Sequence, residues 1–253
     1  IGYNCLINAL GDENTAVGST ALDACTTGEY NTAMGYNALG ADTSGEQNTA
    51  IGYASMYTNT TGNANAGLGS YSLALNTTGI ENTAIGFYSL YANTTGSYNT
   101  AAGHSCLKAV TTASQCCGYG HDSLFSNTSG NKNTGLGAAA LYANTTGSYN
   151  TAVGYYALVT NTTGVRNTAV GEEAGKMTST GNDNTAVGYT ALYTCSTGYE
   201  NVAIGSYTGD NLTTGYRNVY VGDNAGNTHE SGNSCIYVGR ASNCSGTSVD
   251  DEF

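Results

Sequence analysis

The stretch that decides the fold is NTAVGYYALVTNTTG, residues 150–164. Close copies recur along the chain, and we call the opening Asn position one, so that the Gly of the NTAVG segment is position five. Position one falls at residues 14, 31, 48, 65, 82, 99, 116, 133, 150, 167, 184, 201, 218 and 235, with every interval seventeen residues. A fixed, short period indicates one small unit that is stacked on itself.

Composition excludes several classes of function. The chain has 253 residues, a net charge of −12 and only six lysines and arginines. Nucleic acids and anionic membrane surfaces attract clustered positive charge, so we expect neither as a partner. No apolar run approaches the roughly 20 residues of a membrane-spanning helix. Charged residues are only 9% of the chain, but the strict register favours an ordered repeat over disorder.

The length of the repeat predicts the fold class. Seventeen residues are too few for a helical-hairpin repeat, whose period is about 33 residues or more. They suit two short strands, Asn-Thr-Ala-Val and Tyr-x-Ala-Leu-Tyr, and a turn at Asn-Thr-Thr-Gly whose glycine supplies a positive φ. Proline is absent, as expected where the N–H groups of each coil bond to the next coil. We predict an all-β fold, a β-solenoid (β-roll) of about fifteen 17-residue coils with two short strands per coil.

Fixed positions predict the interior of the coil. Position four is apolar, position eight is small, and position nine is Leu or Met as far as Leu158. Stacked Asn side chains at position one are expected to hydrogen-bond along the solenoid. Beyond Leu158 position nine becomes Gly at three coils and position three becomes Tyr220 and Tyr237, so we expect a differently filled core there. These changes predict regular repeats over 1–163, variant repeats over 164–245 and a non-repeat tail or boundary over 246–253.

The motif also resembles a known family. Asn-Thr-Ala-Val-Gly-Tyr-x-Ala-Leu-Tyr-x-Asn-Thr-Thr-Gly, shifting to Asn-Val-x-x-Gly-x-x-Ala-Gly, is similar to the repeats that precede the endosialidase-type intramolecular chaperone domain in phage and virus tail fibres. It also resembles the shorter head repeats of trimeric autotransporter adhesins. The resemblance covers nearly all of residues 1–245 and implies a trimeric, fibrous, extracellular module on a virion or cell surface. The chaperone domain is outside this resemblance, so no catalytic residue is carried over from it.

Tyrosines recur at two positions of the repeat. Stacked rings at the coil spacing predict a flat aromatic strip, which either packs between chains or binds glycans through ring faces and hydroxyl groups. The candidate residues are Tyr36, Tyr53, Tyr155 and Tyr189 at position six, and Tyr57, Tyr91, Tyr142 and Tyr193 at position ten.

Cysteines and N-glycosylation sequons provide further candidates. An extracellular solenoid permits disulfides, and the sequence suggests Cys235 with Cys244, or Cys106 with Cys116 or Cys117. Sequons act as glycosylation sites only on a eukaryotic secretory route, and otherwise as turns. They lie at Asn59, Asn76, Asn93, Asn127, Asn144, Asn161, Asn211 and Asn243.

Catalytic and metal-binding patterns are weak. His104 and His121 share position six on successive coils, about 5 Å apart, with Asp122 and Cys106 nearby. We interpret the two histidines as surface substitutes for Tyr and predict no metal and no cofactor. Adjacent acids such as Glu172 and Glu173 point to opposite faces of a strand, so no glycosidase-like pair is implied. We do not expect an enzyme.

The sequence leaves three hypotheses for the function of the chain. The first is the shaft of a tail fibre or surface appendage, a homotrimer that attaches to a host or to surface glycans. The second is an extracellular filament that assembles end to end without a receptor. The third is ice binding, suggested by a row of Thr at position two, although the second Thr of each repeat falls in the turn.

Overall fold

The computed structural model describes residues 1–6 and 11–243, which form two compact units with the boundary between Ser129 and Gly130. Each repeat in these units contributes one strand of three residues. In the first unit the strands are β1 Thr15–Val17, β2 Thr32–Met34, β3 Thr49–Ile51, β4 Ala66–Leu68, β5 Thr83–Ile85, β6 Thr100–Ala102 and β7 Cys117–Tyr119. In the second they are β8 Thr134–Leu136, β9 Thr151–Val153, β10 Thr168–Val170, β11 Thr185–Val187, β12 Val202–Ile204, β13 Val219–Val221 and β14 Ile236–Val238.

Within each unit the strands pair in parallel and in chain order. The register is one whole repeat, as where Thr32 pairs with Thr49 and Thr168 with Thr185. No helix occurs among the described residues, and hence none there is long and apolar enough to span a membrane. The predicted all-β class and β-solenoid fold are confirmed.

The prediction of two strands per coil is wrong, because the described residues carry fourteen strands, one for each coil. The Tyr-x-Ala-Leu-Tyr segment is a series of turns, in which positions seven and nine adopt positive φ, as at Ala54 (φ 50°) and Met56 (φ 52°). Its main chain still bonds to the neighbouring coils, as where the N–H of Met56 donates to the carbonyl of Ser72 (2.9 Å). Positive φ at alternate residues curls the chain too tightly for an extended strand.

The core is built from positions three, eight and nine. The middle residue of each strand points inward, so Ala33, Ala50 and Ala152 are completely buried, as are the small residues at position eight. Leu39 and Met56 at position nine are also completely buried. These small and large side chains fill the narrow interior, as the sequence predicted for positions eight and nine.

Position four was predicted to be part of the core, and this prediction is wrong. Successive strand residues point to opposite faces, and Ala at position three takes the inward face. The residue at position four therefore points outward, leaving Met34 46% exposed and Ile85 48% exposed. The outward face of the strands consequently carries a column of apolar side chains beside the Thr of position two.

Only glycine suits position five, because φ is positive there and a side chain would collide with the next coil. Gly35 has φ 138°, and a Cβ there would lie 2.4 Å from the carbonyl oxygen of Gly52 in the next coil. The glycine of Asn-Thr-Thr-Gly has a different role, because φ is not positive at Gly62. A Cβ on Gly62 would lie 2.4 Å from both Asn59 Oδ1 and the carbonyl oxygen of Gly79. The predicted positive φ at this turn is therefore wrong, and close stacking is what demands glycine.

Two buried ladders of asparagine run along the coils. At position one, Asn31 Oδ1 accepts from the N–H of Asn48 (2.9 Å), while Asn48 Nδ2 donates to the carbonyl of Gly62 (2.8 Å). This confirms the predicted ladder. A second ladder uses the Asn of Asn-Thr-Thr-Gly, where Asn76 Nδ2 donates to Asn59 Oδ1 (2.8 Å) and to the carbonyl of Gly79 (3.0 Å). Both sets of side chains satisfy polar groups that no water reaches.

The core changes in the later repeats, as predicted. Gly209 and Gly226 replace the large residue of position nine, and the ring of Tyr220 fills the space they leave. A Cβ at either glycine would lie within 2.8 Å of that ring. Tyr220 and His229 are completely buried and share a hydrogen bond between the Tyr hydroxyl and His Nδ1. The tail predicted for 246–253 lies outside the described residues.

Candidate interaction surface

A row of exposed and half-buried rings crosses successive coils of the first unit, and we call it the aromatic strip. Tyr36 and Tyr53 are stacked, with centroids 5.3 Å apart and planes 15° from parallel. Tyr53 meets Tyr71 edge to face at 5.2 Å, and Tyr71 stacks on Tyr88 at 5.1 Å. The spacing of the rings follows the spacing of the coils. The strip consists of Tyr36, Tyr53, Tyr71, Phe87, Tyr88, Tyr91, His104 and His121.

The strip differs from the two separate rows that the sequence predicted. Position six holds Ser70 between Tyr53 and Phe87, and the ring of Tyr71 at position seven continues the strip there. Position seven has a positive φ, as at Tyr71 (φ 57°) and Tyr88 (φ 55°). Sequence reasoning missed these two tyrosines because it treated their segment as a strand, in which adjacent side chains point to opposite faces.

The tyrosines of position ten do not form a row of their own. Tyr91 joins the strip through Tyr71 and Tyr88, with ring centroids 6.4 and 5.0 Å away. Tyr57 is exposed, while Tyr142 and Tyr193 in the second unit are half-buried. The ammonium group of Lys176 lies 5.2 Å from the ring centre of Tyr193.

In the second unit the tyrosines of position six contact only one neighbouring ring each. Tyr155 meets Tyr156 edge to face at 4.2 Å, and Tyr189 meets Tyr207 at 5.2 Å. Glu172 occupies position six between Tyr155 and Tyr189, so the row is interrupted there. The predicted position-six residues are therefore exposed in both units, but a long continuous strip forms only from those of the first.

The surroundings of the strip are polar and weakly charged. A hydrogen bond with Tyr53 is the main cause that raises the pKa of Tyr71, so this phenol stays neutral at physiological pH. The ammonium group of Lys108 lies 5.0 Å from the ring centre of Tyr88 and 5.3 Å from that of Phe125. The strip thus offers an aromatic surface and hydroxyl groups, with the ammonium group of Lys108 at its side.

The predicted disulfide between Cys106 and Cys116 or Cys117 is wrong, because all three side chains are thiols. Cys106 is buried, and this burial raises the pKa of its thiol to about 12, which makes it unreactive. Cys235 is also a buried thiol, and its suggested partner Cys244 lies outside the described residues. The irregular coil around Cys116 therefore holds together without a bridge.

The sequons have two different environments. Six of the asparagines are completely buried, which rules out glycosylation of the folded chain at those positions: Asn59, Asn76, Asn93, Asn127, Asn144 and Asn161. Asn211 and Asn243 are exposed. For the buried set the glycosylation alternative is therefore wrong, and the ladder of the Asn-Thr-Thr-Gly segments was not predicted from the sequence.

The geometry of this surface is a repeated array rather than a cleft. Its rings recur from coil to coil, and the described residues bring no pair of acids together within it. Neither a scan against models of known protein families nor a search of curated proteins finds a match to the chain.

Proposed function

We propose that the chain is a structural module of an extracellular fibre, with an aromatic strip that binds surface carbohydrate. The observation that carries the proposal is the strip itself, with ring centroids 5.1–5.3 Å apart from Tyr36 to Tyr88. Sugar rings pack against aromatic surfaces, and phenol hydroxyls hydrogen-bond to sugar hydroxyls. Four of these rings in a row match an extended polysaccharide better than a small ligand.

The solenoid supports the structural half of the proposal. Backbone hydrogen bonds and buried asparagine ladders join each coil to the next within a unit. The interval between position-one residues is seventeen throughout, so the repeat contains no insertion that could build a catalytic pocket. Such an architecture suits a scaffold that presents one surface many times. The resemblance to tail-fibre and adhesin repeats points in the same direction.

We predict that Tyr36→Ser with Tyr53→Ser weakens carbohydrate binding by at least about tenfold, because two stacking faces are lost. Serine occupies the same position at Ser19 and Ser70, so the double variant should fold normally. Binding is measured on an array of purified bacterial and eukaryotic surface polysaccharides.

The matched control is Tyr98→Ala, which removes an exposed ring away from the strip at a position where another coil has Ala64. It should leave binding unchanged. Equal binding by the wild type and the double variant would contradict carbohydrate recognition by the strip. A wild type that binds no polysaccharide would leave only the structural role.

Ice binding is a less supported alternative. Thr32 and Thr49 do lie in register on the outward face of the strands, as an ordered row of hydroxyls requires. The second outward column is apolar, with Met34 and Ile51 at position four. The second Thr column that the ice-binding hypothesis needs is therefore missing from this face.

A further inference from the structure

We propose that His104, His121 and Asp122 bind a divalent transition-metal ion at the end of the aromatic strip. The two imidazole rings are stacked, with centroids 5.1 Å apart and planes 13° from parallel. Asp122 Oδ2 lies 3.1 Å from His121 Nδ1. One ligand atom from each of the three side chains lies within 4.8 Å of the other two.

The backbone holds the three residues in one frame. The histidines follow Gly103 and Gly120 at position five, whose N–H groups donate to Ile85 and Ala102 in the preceding coils. The N–H of Asp122 donates to the carbonyl of His104 (3.0 Å). The main chain of the carboxylate ligand is therefore joined directly to that of the first histidine, and only side-chain rotations remain to be adjusted.

The required adjustment is small. Metal–nitrogen bonds of about 2.0–2.1 Å place two ligand atoms of a tetrahedral site roughly 3.3–3.5 Å apart. The side chain of His121 is 63% exposed and His104 is exposed as well, so both rings are able to turn toward a shared ion. Asp122 is half-buried, and its carboxylate already lies beside the ring of His121.

The chemistry of the three ligands selects the class of metal. Two imidazoles and one carboxylate suit Zn²⁺, Ni²⁺, Cu²⁺ or Fe²⁺, whereas Ca²⁺ and Mg²⁺ prefer sites made of oxygen. Three protein ligands on an exposed surface leave further coordination positions to water or to another molecule. The net charge of −12 also favours a cation at the surface.

Ring stacking alone does not distinguish this pair from the others in the strip. Tyr36 and Tyr53 stack in nearly the same way, and the residue that corresponds to Asp122 in that pair is Ala54. What differs at His104 and His121 is that both rings carry ligand nitrogens and that a carboxylate occupies the next position. His104, His121 and Asp122 thus stand in place of two tyrosines and an alanine, and all three differences lie at one point of the surface.

The test is calorimetric titration of Zn²⁺ into the chain, purified without a polyhistidine tag and treated first with a chelator. We expect one Zn²⁺ per chain, and at least a tenfold loss of affinity in each of His104→Tyr, His121→Tyr and Asp122→Ala. Tyr or Ala occupies the equivalent positions in other coils, as at Tyr53 and Ala54, so these variants should fold. Tyr155→Ser, in the second unit, is the control and should bind as the wild type does.

A transplanted site provides the complementary test. Tyr36→His, Tyr53→His and Ala54→Asp reproduce the three ligands in another pair of coils. We expect the stoichiometry to rise from one to two Zn²⁺ per chain. Absence of binding to the wild type at millimolar Zn²⁺, or equal affinity in the wild type and His104→Tyr with His121→Tyr, would overturn the proposal.

Discussion

Among single residues, Asp42 is a carboxylic acid at a position where other coils have the amide of asparagine. It stands where the next three coils have Asn59, Asn76 and Asn93, and it is completely buried. Asn59 donates to its Oδ1 (2.7 Å), whereas its Oδ2 has no hydrogen-bond partner. Burial is the main cause that raises the pKa of this carboxyl to about 7, against hydrogen bonds that lower it.

The raised pKa of Asp42 makes stability depend on pH. The folded state favours the protonated acid, so this contribution to stability is fully present below about pH 4 and is lost as the pH rises through about 7. Asp42→Asn removes the dependence and extends the ladder. We predict that at pH 8 the variant has a free energy of unfolding up to a few kcal/mol above the wild type, at about 1.4 kcal/mol per pKa unit.

Denaturant unfolding of both proteins at pH 4.5 and pH 8 checks this prediction. The advantage of Asp42→Asn should be smaller at pH 4.5, where the wild-type acid is protonated. An advantage of the same size at both pH values would show that the amide acts through packing and not through the charge.

At the scale of the coil, the side chains of positions nine and three fill the same part of the core, and a larger residue at one can compensate for a smaller residue at the other. Most coils combine a large residue at position nine with Ala or Gly at position three, whereas Gly209 and Gly226 flank the ring of Tyr220. Position nine has the same positive φ in both arrangements, as at Leu192 (φ 50°) and Gly209 (φ 57°). The stacked fold therefore accepts glycine at 209 and 226 because Tyr220 on the neighbouring strand supplies the complementary volume.

We predict that Tyr220→Ala alone costs about 3–5 kcal/mol, because it empties a buried site and leaves His229 without its hydroxyl partner. Gly209→Leu alone should also destabilise, since its Cβ would lie 2.8 Å from the Tyr220 ring. The double variant restores the common combination and should lose less stability than the sum of the two single changes.

Chemical denaturation of the four proteins in this cycle measures the coupling. Leu158→Ala, in a coil with the usual core, is a comparison that should cost about 2–5 kcal/mol. Strictly additive effects of Tyr220→Ala and Gly209→Leu would contradict the exchange of volume between the two positions.

For the whole molecule, the informative feature is the outward apolar column of position four. Each unit has such a column, which includes Met34 and Ile85 in the first unit and Val170 and Ile204 in the second, each more than a third exposed. Exposed apolar patches mark sites where proteins associate. The column gives a physical basis for the trimer that the family resemblance implies, because it would be covered when copies meet.

We predict that the chain is a trimer in solution and that Met34→Thr with Ile85→Thr weakens the association without changing the circular dichroism spectrum. Thr is already common on these strands, so the secondary structure should be kept. Sedimentation equilibrium measures the mass. A mass that grows without limit with concentration would support the end-to-end filament instead, and a monomeric wild type would contradict both.

The seventeen-residue period by itself determined the solenoid, because a register without insertions leaves no other way to stack identical units. The inward Leu of position nine and the Asn ladder of position one followed from the same pattern. Only the tertiary structure decided which face each remaining residue occupies. Positive φ at positions seven and nine turns a segment that reads as a strand, and such local reversals depend on contacts between coils that the sequence of one coil does not contain.

The same reason explains what sequence analysis missed at the candidate sites. Tyr71 and Tyr88 join the strip, and Asp122 reaches His121, because position seven turns each side chain beside position six. The sequons of the Asn-Thr-Thr-Gly segments are buried because their amides satisfy carbonyl groups of the closely stacked coils. Periodicity determines which residues are stacked on one another, whereas the curl of the chain within each coil determines which of them face water.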